Sequence, residues 1–199
     1  VTKADLGISS DGVNHVYSYT CTPQGKYPLD KTNTKATKTY PTILLIGSIH
    51  GYEKTATYGL YYLLKDLVDN NIQEASLMYL RSNVRIVMVP ASVPYGWENV
   101  TRYNANGINI DRNFGTNGWS DYNPEDSDPW EYNAKGSAPF SEVETQIIMN
   151  LVATEKATHN ALFVMDIHTN GVDTSTPDQI CVANPSYLCE MNEYSARSY

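Results

Sequence analysis

Cysteine is scarce. The 199 residues hold three, Cys21, Cys181 and Cys189, too few and too irregularly spaced for a disulfide framework or a thiolate zinc site; a pairing of Cys181 with Cys189 stays open. Positive charge is short as well: 14 Lys and Arg stand against 22 Asp and Glu, a formal charge of -8. Such a surface repels phosphates and offers no counterion release, which excludes nucleic acid as a partner. Long apolar runs are missing too, and a run such as Ile43 to Ile46 is strand-sized, far from the roughly 20 residues that cross a bilayer. No repeat or low-complexity tract breaks the chain. What is present is 41% hydrophobic residues and 16 Tyr, enough for a core and unlike a disordered chain. Length and composition fit one ordinary domain. Val1 is not an initiator Met and no apolar signal core follows it, so the start reads as a processed terminus or a cut from a longer chain.

Extended and helical patterns alternate, the signature of an α/β fold. Val16 to Thr22 reads as an early strand and Pro23 to Thr39 as a solvated connection. Thr42 to Gly47 (TILLIG) is apolar throughout, as a central strand covered on both faces must be. From Lys54 to Asp69 the residues Ala56, Leu60, Leu63, Leu64, Leu67 and Val68 recur at three- and four-residue steps, one stripe of a helix that packs on the sheet. A shorter helical stretch, Glu74 to Leu80, precedes a second apolar strand, Val84 to Pro90, and Asn99 to Asn106 reads as loop. Phe140 to Lys156 is a helix whose start carries a capping box, Ser141 with Glu144 three residues on. Ala161 to Ile167 is a third buried strand and Gln179 to Ala183 a fourth. The expected architecture is a mixed, partly parallel central sheet flanked by helices.

Two of these strands end in histidines, at the sheet edge where open α/β folds bind ligands. His50 and Glu53 form His-x-x-Glu directly after TILLIG, and His168 follows the third strand. Two His and one Glu with an open fourth position is the ligand set of catalytic zinc in hydrolases. The same residues also read as two satisfied loop histidines and a glutamate that complements a helix N-terminus. Arg102 to Phe114 (RYNANGINIDRNF) is polar and turn-rich, and its two arginines suit carboxylates, while a plain surface loop would look the same.

These motifs, in this order, resemble the zinc carboxypeptidases of the carboxypeptidase A-like (M14) type. GSIHGYEK at Gly47 to Lys54 resembles the family's zinc-binding His-x-x-Glu. GINIDRNF at Gly107 to Phe114 is similar to its substrate motif Gly-Val-Asp-x-Asn-Arg-Asn-Phe/Trp. PFSEVET resembles its Pro-Phe-Ser-Glu-Pro-Glu-Thr, and DIHTN at Asp166 to Asn170 its third-ligand strand. LGISSDGVNHVYSYT, from Leu6, looks like its opening strand. The resemblance implies one Zn²⁺ per chain on His50, Glu53 and His168 with a water in the remaining position, a water whose pKa zinc can lower from about 15.7 towards about 7. It implies Arg112 as the grip on a substrate's terminal carboxylate and Arg102 as the catalytic arginine that stabilises an oxyanion.

The motif is altered at two positions. Asn109 stands where the family has the Asp that supports a zinc-bound histidine, and Asp111 stands where it has the Asn that helps bind the substrate carboxylate. Asn109 is expected to accept from an imidazole N–H with less charge to lend. Asp111 is expected to repel a substrate carboxylate unless it is paired or turned away, which weakens strict preference for free C-termini. The family's general-base glutamate and closing tyrosine lie on later segments, beyond Tyr199. Residues 1–199 are therefore expected to be one catalytic domain lacking its C-terminal part. The implied function is hydrolysis of a peptide bond by carboxypeptidase-type release of C-terminal residues, from a peptide or peptide-like substrate bearing a carboxylate, in an extracellular or secreted setting. The alternatives are a zinc deacylase of small N-acyl amino acids and an inactive peptide-binding module. Oligomeric state and side-chain preference stay open.

Two smaller signals have plain readings. Asp121, Asn123, Glu125, Asp126 and Asp128, among Trp119, Tyr122, Trp130 and Tyr132, read as a solvated acidic loop, since Asp126 occupies the position where an EF-hand needs Gly. The sequon Asn99-Val100-Thr101 is not expected to carry a glycan, which would crowd Arg102.

Overall fold

The apolar segment Thr42–Gly47 forms a strand with neighbours on both sides, in a computed structural model that describes residues 1–23, 40–69, 73–115, 119, 135–158, 162–169, 180 and 181. In chain order the elements are β1 (Thr2–Ile8), β2 (His15–Cys21), β3 (Thr42–Gly47), α1 (Lys54–Val68), α2 (Ala75–Asn83), β4 (Arg85–Val89), α3 (Pro94–Asn99), a 3₁₀ turn (Ile110–Arg112), α4 (Val143–Thr158), β5 (Leu162–Thr169) and β6 (Ile180–Cys181). The sheet order is β1-β2-β4-β3-β5-β6. β3 runs parallel to β4 and β5, while β1, β2 and β6 join antiparallel, so the sheet is mixed as expected.

Alternation along β3 divides the core in two. Leu44 and Ile46 face Ile147 and Ile148 of α4, together with Val87, Val89, Val164, Ile110 and Phe114. Leu45 faces Leu60 and Leu67 of α1, with Ile86 and Met88 of β4. Helices thus cover both faces, which is why TILLIG carries no polar alternation. The chain leaves β3 to return at β4 on one side and later at β5 on the other. The carboxyl end of β3 is therefore a switch point of the topology, the place where open α/β sheets bind ligands.

Two elements carry no sequence signal, and one expectation changes. Thr2–Ile8 is an edge strand paired to β2 through a bulge at Gly7; its half-exposed residues lack the apolar signal of the inner strands. Pro94–Asn99 is a helix, too short for periodicity to show and interrupted by Gly96, though Pro94 at its start suits a first turn. The capping box does not form. Glu144 instead turns to Ser9, Ser10 and Asn104, and Asn113 caps α4, its Oδ1 accepting from the Glu142 backbone N–H (3.1 Å) and Thr145 Oγ1 (2.7 Å). The connection 24–39, the acidic loop from Asp121 onward and Cys189 lie outside the described residues, as does the Cys181 side chain.

Candidate metal centre

β3 stops at Gly47 and the chain turns sharply. Ser48 adopts φ 53°, a left-handed conformation that costs a non-glycine residue about 1–2 kcal/mol. Its buried hydroxyl lies 3.0 Å from the Glu53 carbonyl and 2.7 Å from Thr57 Oγ1, tying both ends of the turn. The Glu53 N–H donates to the His50 carbonyl (3.0 Å), which brings side chains three residues apart to one side. Gly51 lets the turn sit against α3: a Cβ there would fall 2.0 Å from the Gly96 carbonyl carbon. Glu53 occupies the N-cap of α1 but makes no side-chain cap bond, and its carboxylate turns to the histidines instead.

On β5, Asp166 and His168 are two residues apart and share a face. The Asp166 carboxylate is buried and its Oδ2 accepts from His168 Nε2 at 2.9 Å. In register, Asp166 lies opposite Ile46 of β3, which sets His168 beside the His50 turn.

The structure brings His50, Glu53 and His168 together. Glu53 Oε1 is 2.8 Å from His50 Nδ1, Glu53 Oε2 is 3.1 Å from His168 Nδ1, and the two Nδ1 atoms are 3.2 Å apart. All three residues are buried. A proton on His168 Nε2, held by Asp166, leaves the Nδ1 lone pair aimed at Glu53 and His50. Two imidazole lone pairs and a carboxylate cannot face one another at these distances without positive charge between them, so the set fits a divalent cation. Protons supply that charge otherwise. Burial opposes it, but Asp166 and Glu53 push the His168 imidazolium up to about 11. For Glu53, burial opposes the charge while hydrogen bonds from His168 and His50 bring the carboxyl down to about 2.

The GINIDRNF segment meets this cluster from the 3₁₀ turn. The expectation that Asn109 accepts from a histidine is not met: its amide is fully buried and neither Oδ1 nor Nδ2 has a hydrogen-bond partner among the described residues. Asp111 stands behind His50 instead, Oδ2 3.5 Å from Nε2, an ion-pair separation too long for a full hydrogen bond. The same oxygen accepts from Arg112 Nη1 at 2.5 Å. Desolvation works against the Asp111 charge, but His50 and Arg112 hold its carboxyl well below the usual carboxylate range. Arg102 donates through Nη1 to Tyr52 Oη (3.2 Å), and the Tyr52 ring lies nearly parallel to His50 with centroids 6.3 Å apart. Trp119 Nε1 donates to the Arg112 carbonyl (3.1 Å). Asn99 is exposed and its amide donates to the Tyr95 carbonyl.

Sequence reasoning passed over Asp166, Tyr52 and the contact between Gly51 and Gly96. Asp166 was readable, since residues i and i+2 of a strand share a face. The glycine contact was not, because it joins segments 45 residues apart.

The fold recurs among solved structures. A carboxypeptidase A from Helicoverpa armigera is 22% identical with a TM-score of 0.60, over 85% of this chain and 41% of that one. A metallo-carboxypeptidase from Burkholderia cenocepacia is 19% identical at 0.55, over 85% and 36%. A murein-tripeptide amidase from Escherichia coli O157 is 21% identical at 0.50, over 83% and 60%. The chain thus spans about two fifths of the length of the Helicoverpa enzyme. Among curated proteins none matches the sequence. A sequence profile described as zinc carboxypeptidase matches residues 7–192, a span that contains the His50 turn, the 3₁₀ turn and both β5 residues of the cluster. With the profile and the fold in agreement on the segments that build the cluster, this chain belongs to the zinc carboxypeptidase family.

Proposed function

We propose that residues 1–199 hold one zinc ion on His50, Glu53 and His168 and supply the metal-binding part of a catalytic domain that hydrolyses a peptide or amide bond. The single observation that carries this reading is the convergence of Glu53 with the two Nδ1 atoms at 2.8–3.2 Å. When bound, the metal supplies a Lewis acid that activates water and polarises a carbonyl. Two arginines of the chain add electrostatic stabilisation and substrate binding. Arg102, held by the Tyr52 hydroxyl, donates to the oxygen on which negative charge develops. Arg112 receives a substrate carboxylate and so favours carboxypeptidase-type cleavage, in a secreted setting as in the family.

One observation favours a second reading. Because Arg112 is already paired with Asp111, a terminal carboxylate must share the guanidinium with a resident acid. That lowers the return on recognising a free C-terminus and suits an amide in a wall peptide or an N-acyl amino acid. The neighbouring murein-tripeptide amidase is consistent with the first of these.

The test uses the intact protein. Zinc content is measured after gentle purification, followed by turnover of C-terminally free peptides, their amidated forms, wall peptides and N-acyl amino acids. Stoichiometric zinc with hydrolysis restricted to free C-termini supports the carboxypeptidase reading. Turnover of the amidated, wall or acylated substrates supports the second. Peptide binding without turnover makes the protein a binding module, and a metal-free protein overturns the proposal.

A further inference from the structure

The three ligands account for one nitrogen of each imidazole. The opposite nitrogens each face an aspartate, and Asp111 is not where the family's GINIDRNF-like motif puts the supporting acid. His168 Nε2 lies 2.9 Å from Asp166 Oδ2, and His50 Nε2 lies 3.5 Å from Asp111 Oδ2. Asn109, which occupies the motif's acid position, reaches neither histidine.

We infer that Asp166 and Asp111 are positioning residues that hold His168 and His50, respectively, in the Nε2–H form and orient both rings for the metal, Asp111 having taken over the task that position 109 lost. This rests on the proposed metal site. The two departures in GINIDRNF then become one event. The acid absent at Asn109 returns two residues later, and the 3₁₀ turn Ile110–Arg112 swings it behind the same imidazole.

Charge supports the assignment. Among the described residues, Glu53, Asp111 and Asp166 place three carboxylates in a cluster largely withdrawn from solvent, with the Arg112 guanidinium beside Asp111. A divalent cation at the Nδ1 side offsets this negative charge, and the two Nε2–H groups are the donors through which it reaches Asp166 and Asp111. Burying a carboxylate as completely as Asp166, with Oδ1 unpartnered among the described residues, is costly unless its other oxygen meets such a donor. Second-row carboxylates behind metal-bound histidines typically change metal affinity by 10–100-fold when removed.

The competing arrangement is a second cation held by Asp111, Asp166 and His168, whose ligand atoms also lie within 4.8 Å of one another. It would need Nε2 of His168 as a lone pair instead of an N–H, so the two arrangements exclude each other.

The test follows zinc affinity by chelator competition in the intact protein, with proton NMR of imidazole N–H groups in ¹⁵N-histidine-labelled, zinc-loaded samples. The wild type is expected to bind one zinc and to show protected Nε2–H signals from both histidines. Asp166→Asn should weaken zinc by about 10–100-fold and move the His168 signal; Asp111→Asn should weaken it at the lower end of that range and move the His50 signal. Asp166→Glu should recover part of the loss. A merely structural aspartate would lower thermal stability and leave the paired signal in place. Affinities within twofold of wild type, a His50 signal that answers to Asn109→Ala instead of Asp111→Asn, or two zinc ions per chain each overturn the inference. Should a variant not fold, absence of protected Nε2–H signals in the wild type overturns it equally. Zinc-free wild type would instead overturn the metal site on which it rests.

Discussion

Two buried polar clusters adjoin the 3₁₀ turn, one through Asp111 and one through Asn113, and they are built on opposite principles. Around the start of α4 every acceptor meets a donor. Glu144 receives Ser9 Oγ and Ser10 N–H at 2.9 Å and Asn104 Nδ2 at 3.1 Å; Glu142 receives Asn104 and Asn106 at 2.8 Å and Ser141 at 2.9 Å. At the ends of β3 and β5 two imidazole nitrogens and a carboxylate converge within 2.8–3.2 Å, and His50 Nε2, Asp166 Oδ1 and the Asn109 amide lack hydrogen-bond partners among the described residues. A polar cluster that satisfies itself stabilises a fold and has nothing to offer a ligand. One left with unmatched acceptors has surrendered stability, and a cation restores the balance.

The comparison breaks most sharply at the ligands. His168→Ala and His50→Ala are each expected to abolish stoichiometric zinc; His168→Ala should also lower stability, because it removes the donor that the buried Asp166 Oδ2 meets, whereas Asp111 keeps Arg112 after His50→Ala. Metal analysis alongside circular dichroism checks both parts. At the satisfied cluster the outcome should invert. Glu144→Ala strands three donors in the interior and is expected to cost about 3 kcal/mol, read as a lower urea midpoint, with one zinc per folded molecule retained. Gly51→Ala falls between these cases. Its methyl would press on the Gly96 backbone of α3 and shift the His50 turn, so about 2 kcal/mol of stability and a measurable part of zinc affinity should go together.

The smallest expected effect concerns pH. Burial opposes the charge of Glu142, but hydrogen bonds from Asn106, Asn104 and Ser141 outweigh it and hold its carboxyl below the ordinary 4.5. A depressed folded-state pKa stabilises fully above the unfolded value and is lost as pH falls through the folded one. Urea midpoints of the wild type should therefore decline on acidification below pH 4.5, and those of Glu142→Gln should decline less steeply. Parallel curves would place the acid sensitivity outside this cluster.

Much of this contrast was legible beforehand, and unevenly. β3 announced itself because burial on both faces demands continuous apolar residues, as in TILLIG; ALFVMDI is as apolar although Phe163 is exposed. α1 did so through its stripe of Leu60, Leu63, Leu64 and Leu67. The edge strand β1 and the six-residue α3 carry neither signal. Glu144 looked like half of a capping box because spacing alone cannot reveal that Ser9, 135 residues away, competes for the same carboxylate.

By itself the sequence determined the chemistry available: two histidines and a glutamate at strand ends, and two arginines in a turn-rich segment. Local geometry follows from local sequence there, since a strand that stops and a turn of four residues leave few directions for a side chain. Tertiary structure alone decided how those groups are wired. Which acid stands behind which imidazole depends on the register of β3 against β5 and on the path of the 3₁₀ turn. The first is set by pairing between segments more than a hundred residues apart, where a shift of one residue would exchange one side chain for its neighbour on the other face, and the second by packing against the core beneath it.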